Sequence, residues 1–233
     1  MMTRFSRNAL ATAVALATLS SAALAQQLEE VVVTASKRVE NLQDVPQAIT
    51  AFSQERLREQ GIVETSDLMG SVPNIQVTSA YGRTQPNFSI RGISVANEFS
   101  AATASPVGVY VDEVYQSFRA SHGQQLYDLE GLEVLRGPQG TLYGRNTTGG
   151  AVNVNTVKPS LEEGFTGFLN ARVGNFSTTD LSGAAEVTVI PDVLGFRLAG
   201  IASRADGYVD NTLAGTDHPE TSSEAARLSM LWR

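Results

Sequence analysis

Two hydrophobic periods divide the chain. From Asn74 to Val157, short apolar runs alternate with segments rich in Gly, Pro, Asn and Ser: Ile75–Ser79, Phe88–Ser94, Val107–Tyr115, Leu132–Arg136 and Ala151–Val157. Runs of this length bounded by turn formers read as strands. Ahead of them, Pro46 breaks early structure, and Ser53 is placed to cap a helix from about Gln54 to Gln60 that Gly61 stops. Thr65–Met69 reads as a second short helix ended by Gly70 and Pro73. These pieces predict one α+β domain over residues 41–159.

After Pro159 the period becomes two. Leu181, Gly183, Ala185, Val187 and Val189 alternate with Ser182, Ala184, Glu186 and Thr188, and Ala226, Leu228, Met230 and Trp232 alternate with Arg227, Ser229, Leu231 and Arg233. Pro191–Gly195 reads as a short turn and Asp206–Glu224 as a longer polar loop. Apolar groups on one side and Arg or Glu on the other suit a barrel with a lipid face and a wet lumen. A soluble meander with one dry face carries the same alternation, so the pattern alone leaves both open.

Composition narrows the chemistry. The 233 residues are 42% hydrophobic and 18% charged, as in a folded chain, with a net charge of −7 and no Lys/Arg stripe for nucleic acid. Without cysteine there is no disulfide, thiolate metal site or Cys nucleophile. His122 and His218 stand alone and read as solvated loop residues, and no Ser-His-Asp set or metal-ligand spacing occurs. No catalytic residue, metal or cofactor is assigned. Asp112 and Glu113, read within one strand, point to opposite faces.

Arg4 and Arg7, the apolar run Ala9–Leu19 and Ala23-Leu24-Ala25 form the three parts of a secretory signal peptide. Cleavage after Ala25 is expected. An apolar run this short cannot cross a bilayer core that needs ~20 residues. Any membrane insertion must therefore use strands.

The densest motif is Leu132–Pro159, with five glycines between Gly137 and Gly150. It leads into the alternating strand Val152–Asn155 with no Gly-Lys-Ser/Thr, so its glycines serve tight backbone turns and not a phosphate. This run resembles the plug-to-barrel junction of TonB-dependent outer-membrane receptors. Three further segments match that family in order: LEEVVVTASKR at 28–38, similar to its TonB box, PNFSIRGIS at 86–94 and PVGVYVDEVYQ at 106–116.

The resemblance implies an α+β plug domain followed by antiparallel strands of a truncated outer-membrane β-barrel. Residues 1–25 would be the signal peptide, 26–40 the TonB box and linker, 41–159 the plug and 160–233 the first barrel strands. The family's barrels have about 22 strands. Residues 160–233 hold room for about four strands of ~10 residues, so the chain is expected to be an N-terminal fragment.

The implied function is energised import of a scarce solute such as a ferric siderophore, in the cell outer membrane, with outer-membrane lipid around the strands. TonB, with its inner-membrane energising complex, would pair with Glu30, Val31, Val32, Val33, Thr34 and Ala35. A β-branched run there suits strand addition, and packing within the plug is the competing reading. Ligand contacts are expected in three loops, Ser79–Gln85, Val95–Ser100 and Gln116–Arg119, through Tyr81, Arg83, Gln85, Asn97, Glu98, Phe99, Gln116 and Phe118. Ordinary exposed loops would look the same. Arg91, Arg136 and Arg145 are expected to pair with barrel carboxylates or with Glu133 and Asp112. An orphaned plug acting as a soluble periplasmic binding or signalling module is the alternative from another class.

Overall fold

A computed structural model describes residues 32–34, 37–38, 40–80, 85–100, 103–162, 164–206, 209–211, 216–218 and 221–233. The expected signal peptide, Glu30, Val31, Ala35, Tyr81 and Arg83 lie outside the described residues.

The longest apolar runs pair first. β3 (Ile49–Ser53), β6 (Val107–Val111), β7 (Val114–Tyr115), β8 (Leu129–Arg136) and β9 (Gly150–Thr156) form one sheet in the order β3-β8-β9-β6-β7. All its pairs are antiparallel except β6 with β9. Period-two geometry sends Leu132 and Val134 of β8 into the main core, with Phe52, Phe88, Ile90 and Val109. Each such buried side chain contributes about 1.5–3 kcal/mol. Leu135 points to the other face, beside Tyr110 and Ala151.

Ser53 caps the helix Gln54–Glu59 as expected, its hydroxyl accepting from the Arg56 amide at 3.4 Å, and Leu57 turns inward. Thr65–Gly70 is a short 3-10 helix whose first turn is closed by reciprocal Glu64–Asp67 bonds. β4 (Ile75–Thr78) and β5 (Asn87–Ile90) pair separately.

Two expected strands fold back on themselves. Phe88–Ser94 is not continuous: β5 ends at Ile90, and Arg91 (φ 53°) and Gly92 (φ 79°) turn the chain so that Ile90 and Ile93 exchange backbone bonds. Val107–Tyr115 is likewise a hairpin, with Asp112 (φ 47°) and Glu113 (φ 68°) at its corner. Both central residues carry positive φ, the signature of a type I′ turn whose twist matches the strands. Asp112 and Glu113 are therefore corner residues, not the two faces of a strand.

Glycine is indispensable at Gly150, where φ is +155° and a Cβ would lie 2.3 Å from the Leu135 carbonyl oxygen.

Four long strands follow: β10 (Phe165–Val173), β11 (Thr179–Ile190), β12 (Leu194–Ala205) and β15 (Thr221–Trp232), paired antiparallel in that order. A two-stranded hairpin, β13 (Val209–Asn211) with β14 (Thr216–His218), interrupts the expected polar loop, and β15 begins within it at Thr221. The short turn after β11 lies at the end that receives the plug, where the Asp192 amide donates to the Leu161 carbonyl and Thr188 to Gly164.

The sheet is inside out. Its outward rows carry Leu169, Leu198, Leu228 and Met230, all more than half exposed. One row runs Phe165, Val187, Phe196, Met230, with Trp232 just beyond. Toward β13–β14 the outward residues turn polar, as Thr179, Arg204 and Ser222. The inward rows carry Asp180, Glu186, Arg197, Ser203 and Arg227 against the plug. A soluble meander would bury the apolar face. Here the polar face is covered and the apolar face is bare, which is membrane-strand order.

Candidate functional site

The first site is the segment Val33–Thr34. Val33 is fully buried in β1 (Val32–Val33), which pairs with β2 (Glu40–Asn41). The Thr34 amide donates to the Glu133 carboxylate at 2.6 Å and its hydroxyl at 3.2 Å, and Asn155 donates to that hydroxyl. Asn153 holds the second Glu133 oxygen at 3.2 Å. Lys37 then lies over the Tyr143 ring, 5.7 Å from its centroid. Strand β8, which sends Leu132 and Val134 into the main core, thus offers Glu133 from its other face to Thr34.

The second site gathers the expected ligand loops. Phe99 and Phe118 stand largely exposed. The Phe99 amide donates to the Asn97 side chain, Glu98 accepts from Thr78 at 3.0 Å, Ser79 donates to the Gln85 carbonyl at 3.1 Å, and the Gln116 side chain donates to the Val114 carbonyl. Beneath them sit two residues that were not among the expected contacts, Arg119 at the end of the loop Gln116–Arg119 and His122 just after it. Arg119 is 4% exposed and donates to Asn87 and to the carbonyls of Glu98 and Ser100. His122, read as a solvated loop histidine, is instead 2% exposed. Its Nε2 lies 3.0 Å from the Gln116 carbonyl, and burial pushes its pKa below the ordinary histidine value. Its neighbours are Thr65 and Phe88, so the polar sequence around it conceals an inward turn.

The third site joins plug to strands, and its polarity reverses the expectation. Glu133 and Asp112 do not serve plug arginines: Glu133 holds Thr34 and Asn153, and Asp112 accepts from the Thr156 amide and hydroxyl at 2.8 and 2.7 Å. The carboxylate comes from the plug and the cations from the strands. Asp128, buried ahead of β8, takes Arg197 of β12 at 2.5 and 2.9 Å and Arg227 of β15 at 2.9 Å. Arg197 also reaches Glu186 at 2.7 Å. Such charge-assisted, forked bonds fix orientation as well as distance. A cavity of about 250 Å³ lies beside this cluster, between the helix Gln54–Glu59 and β10–β12, and Arg58, Asn170, Arg172 and Ser182 are among its lining residues.

A sheet with a bare apolar face, its charged face clasped to an α+β domain, defines a plugged membrane barrel. The chain belongs to the TonB-dependent receptors, a family of receptors and transporters and not of enzymes, and residues 41–151 match its TonB-dependent Receptor Plug Domain. It is 33% identical over 169 residues to the pesticin receptor of Yersinia pestis, covering 71% of this chain and 24% of that one. It is 30% identical over 174 residues to the iron-regulated outer membrane virulence protein of Vibrio cholerae, covering 67% and 25%. The crystal structure of the ferric yersiniabactin uptake receptor FyuA from Yersinia pestis superposes with a TM-score of 0.71 at 25% identity, over 79% of this chain and 28% of that one. The chain spans about a quarter of the length of these curated relatives. Its strands are those of an outer-membrane protein.

Proposed function

We propose that this chain supplies the plug and first barrel strands of a receptor for energised import of a ferric-siderophore-type ligand. The observation that carries the reading is a plug clasped to the polar face of lipid-exposed strands, with aromatic side chains raised on its loops. Relatives named as ferric yersiniabactin and ferripyoverdine receptors support the ligand class. Residues 1–25 act as a signal peptide removed after Ala25, 26–40 hold the TonB box and linker, 41–159 are the plug and 160–233 the strands in outer-membrane lipid. Ligand contacts come from Tyr81, Arg83, Gln85, Asn97, Glu98, Phe99, Gln116 and Phe118.

TonB binds by strand addition at Glu30–Ala35 once Val33 leaves its burial and Thr34 its bonds to Glu133, so the backbone matters more than the side chains. Val32→Pro removes a donor and fixes φ, whereas Val32→Thr keeps both donor and β-propensity. Immobilised periplasmic domain of TonB should capture the detergent-solubilised chain and its Val32→Thr variant, and lose the Val32→Pro variant by at least about tenfold. Equal capture of all three would remove the TonB-box assignment. N-terminal sequencing of envelope-fraction protein should begin at Gln26; an intact Met1 on cytosolic protein would contradict export.

A further inference from the structure

The loop carrying Phe99 makes local backbone bonds, Ser100 to Asn97 and Thr103 to Ser100, in place of a strand ladder. Its ties to the plug body include two side-chain anchors. One is Thr78 to the Glu98 carboxylate, at an exposed edge. The other is buried: the Arg119 guanidinium gives Nη2 to the Glu98 and Ser100 carbonyls at 3.1 and 2.5 Å, and Nη1 to the Asn87 side chain at 2.8 Å.

Those two carbonyls flank Phe99, and Phe118 immediately precedes Arg119 in the chain. The guanidinium therefore ties the Phe99 loop to the backbone that carries Phe118. Arg119 is itself fastened to the core. The His122 amide donates to the Arg119 carbonyl at 3.0 Å, and the fully buried Thr65 donates its hydroxyl to the His122 carbonyl at 2.7 Å. A planar fork is needed to reach three oxygens on two separate segments at once, and a lysine ammonium lacks that geometry.

We propose that Arg119 is the positioning residue for the ligand-contact surface, locking the Phe99 and Phe118 loops into one rigid unit. The ligand role of that unit rests on the function proposed above; the lock does not. Removing the guanidinium leaves two carbonyls without their charged donor, and the Phe99 loop gains freedom while the sheet keeps its pairing.

Because the chain has no cysteine, spin labels can be placed uniquely through Phe99→Cys and Phe118→Cys. In the full chain in detergent, the label-to-label distance distribution should be narrow. It should broaden by about twofold in an Arg119→Gln background, and also in Arg119→Lys, while hydrogen exchange in β8 and β9 stays unchanged. Asn87→Ala removes one acceptor and leaves the residue at 119 intact, which covers the case of a misfolded Arg119 variant; it should broaden the distribution by less. Unchanged widths in the folded Arg119 variants would overturn the proposal. So would unchanged width in Asn87→Ala if the Arg119 variants fail to fold, or broadening accompanied by equally faster exchange in β8 and β9. Titration with ferripyoverdine and a ferric tris-catecholate separates the two readings. If the native chain binds neither, the ligand assignment fails and the spin-label result still decides the lock.

Discussion

Charge in this molecule is decided residue by residue. His122 is held neutral by burial, next to the cationic Arg119, which further opposes a second charge. Its folded pKa therefore lies below the unfolded value of about 6.5, and the unfolded chain binds the extra proton first. Stability should be full above that value and decline as pH falls through about 6.5 toward the lower folded pKa. Urea unfolding across that range should show the slope, and His122→Gln should flatten it; an unchanged slope would mean that His122 is not its source. Asp128 shows the opposite economy, a buried anion satisfied by two guanidiniums. Asp128→Asn leaves Arg197 and Arg227 short of their counter-charge and should cost about 3 kcal/mol. Arg227→Gln, which removes a more exposed partner, should cost less in the same unfolding assay.

At the scale of elements, the turns carry the least expected chemistry. Glu113 holds positive φ at an exposed corner, a conformation costing an L-residue about 1–2 kcal/mol. Glu113→Gly should therefore raise stability by up to about 1 kcal/mol once the backbone entropy of glycine is set against the relief. A lower melting point would argue that the Glu113 side chain contributes there. This corner was hidden in the sequence because Glu113 follows Asp112 where an Asp-Gly pair would announce a type I′ turn. By contrast β11 and β15 were plain, since Ser182, Glu186, Arg227 and Ser229 mark the wet face clearly. β10 and β12 were blurred because Phe168, Ala199 and Ile201 face inward onto the plug, giving apolar groups on both faces. The start of β15 read as loop for the converse reason: Ser222 and Glu224 face outward where the apolar band has ended. Arg119 and Asp128 had no local signal at all. Arg119 is a lone charge in a polar stretch and Asp128 one of three acids spaced among apolar residues, and their side-chain partners lie 19 to 99 residues away.

For the whole molecule, the plugged-barrel architecture turns on which face of the four-stranded sheet meets lipid. The outward rows expose Leu169, Leu198, Leu228 and Met230 and reach aromatic groups at the end that receives the plug, the position of an interfacial girdle. The single tryptophan of the chain, Trp232, is 74% exposed on that face and needs no engineering to report on it. Its fluorescence in vesicles reconstituted with the chain, quenched in turn by lipids brominated near the headgroup and by aqueous acrylamide, is the direct measurement. Strong quenching by the brominated lipid with weak quenching by acrylamide is the predicted result. Efficient acrylamide quenching with no response to brominated lipid would contradict a membrane-facing sheet, and with it the plugged-barrel architecture.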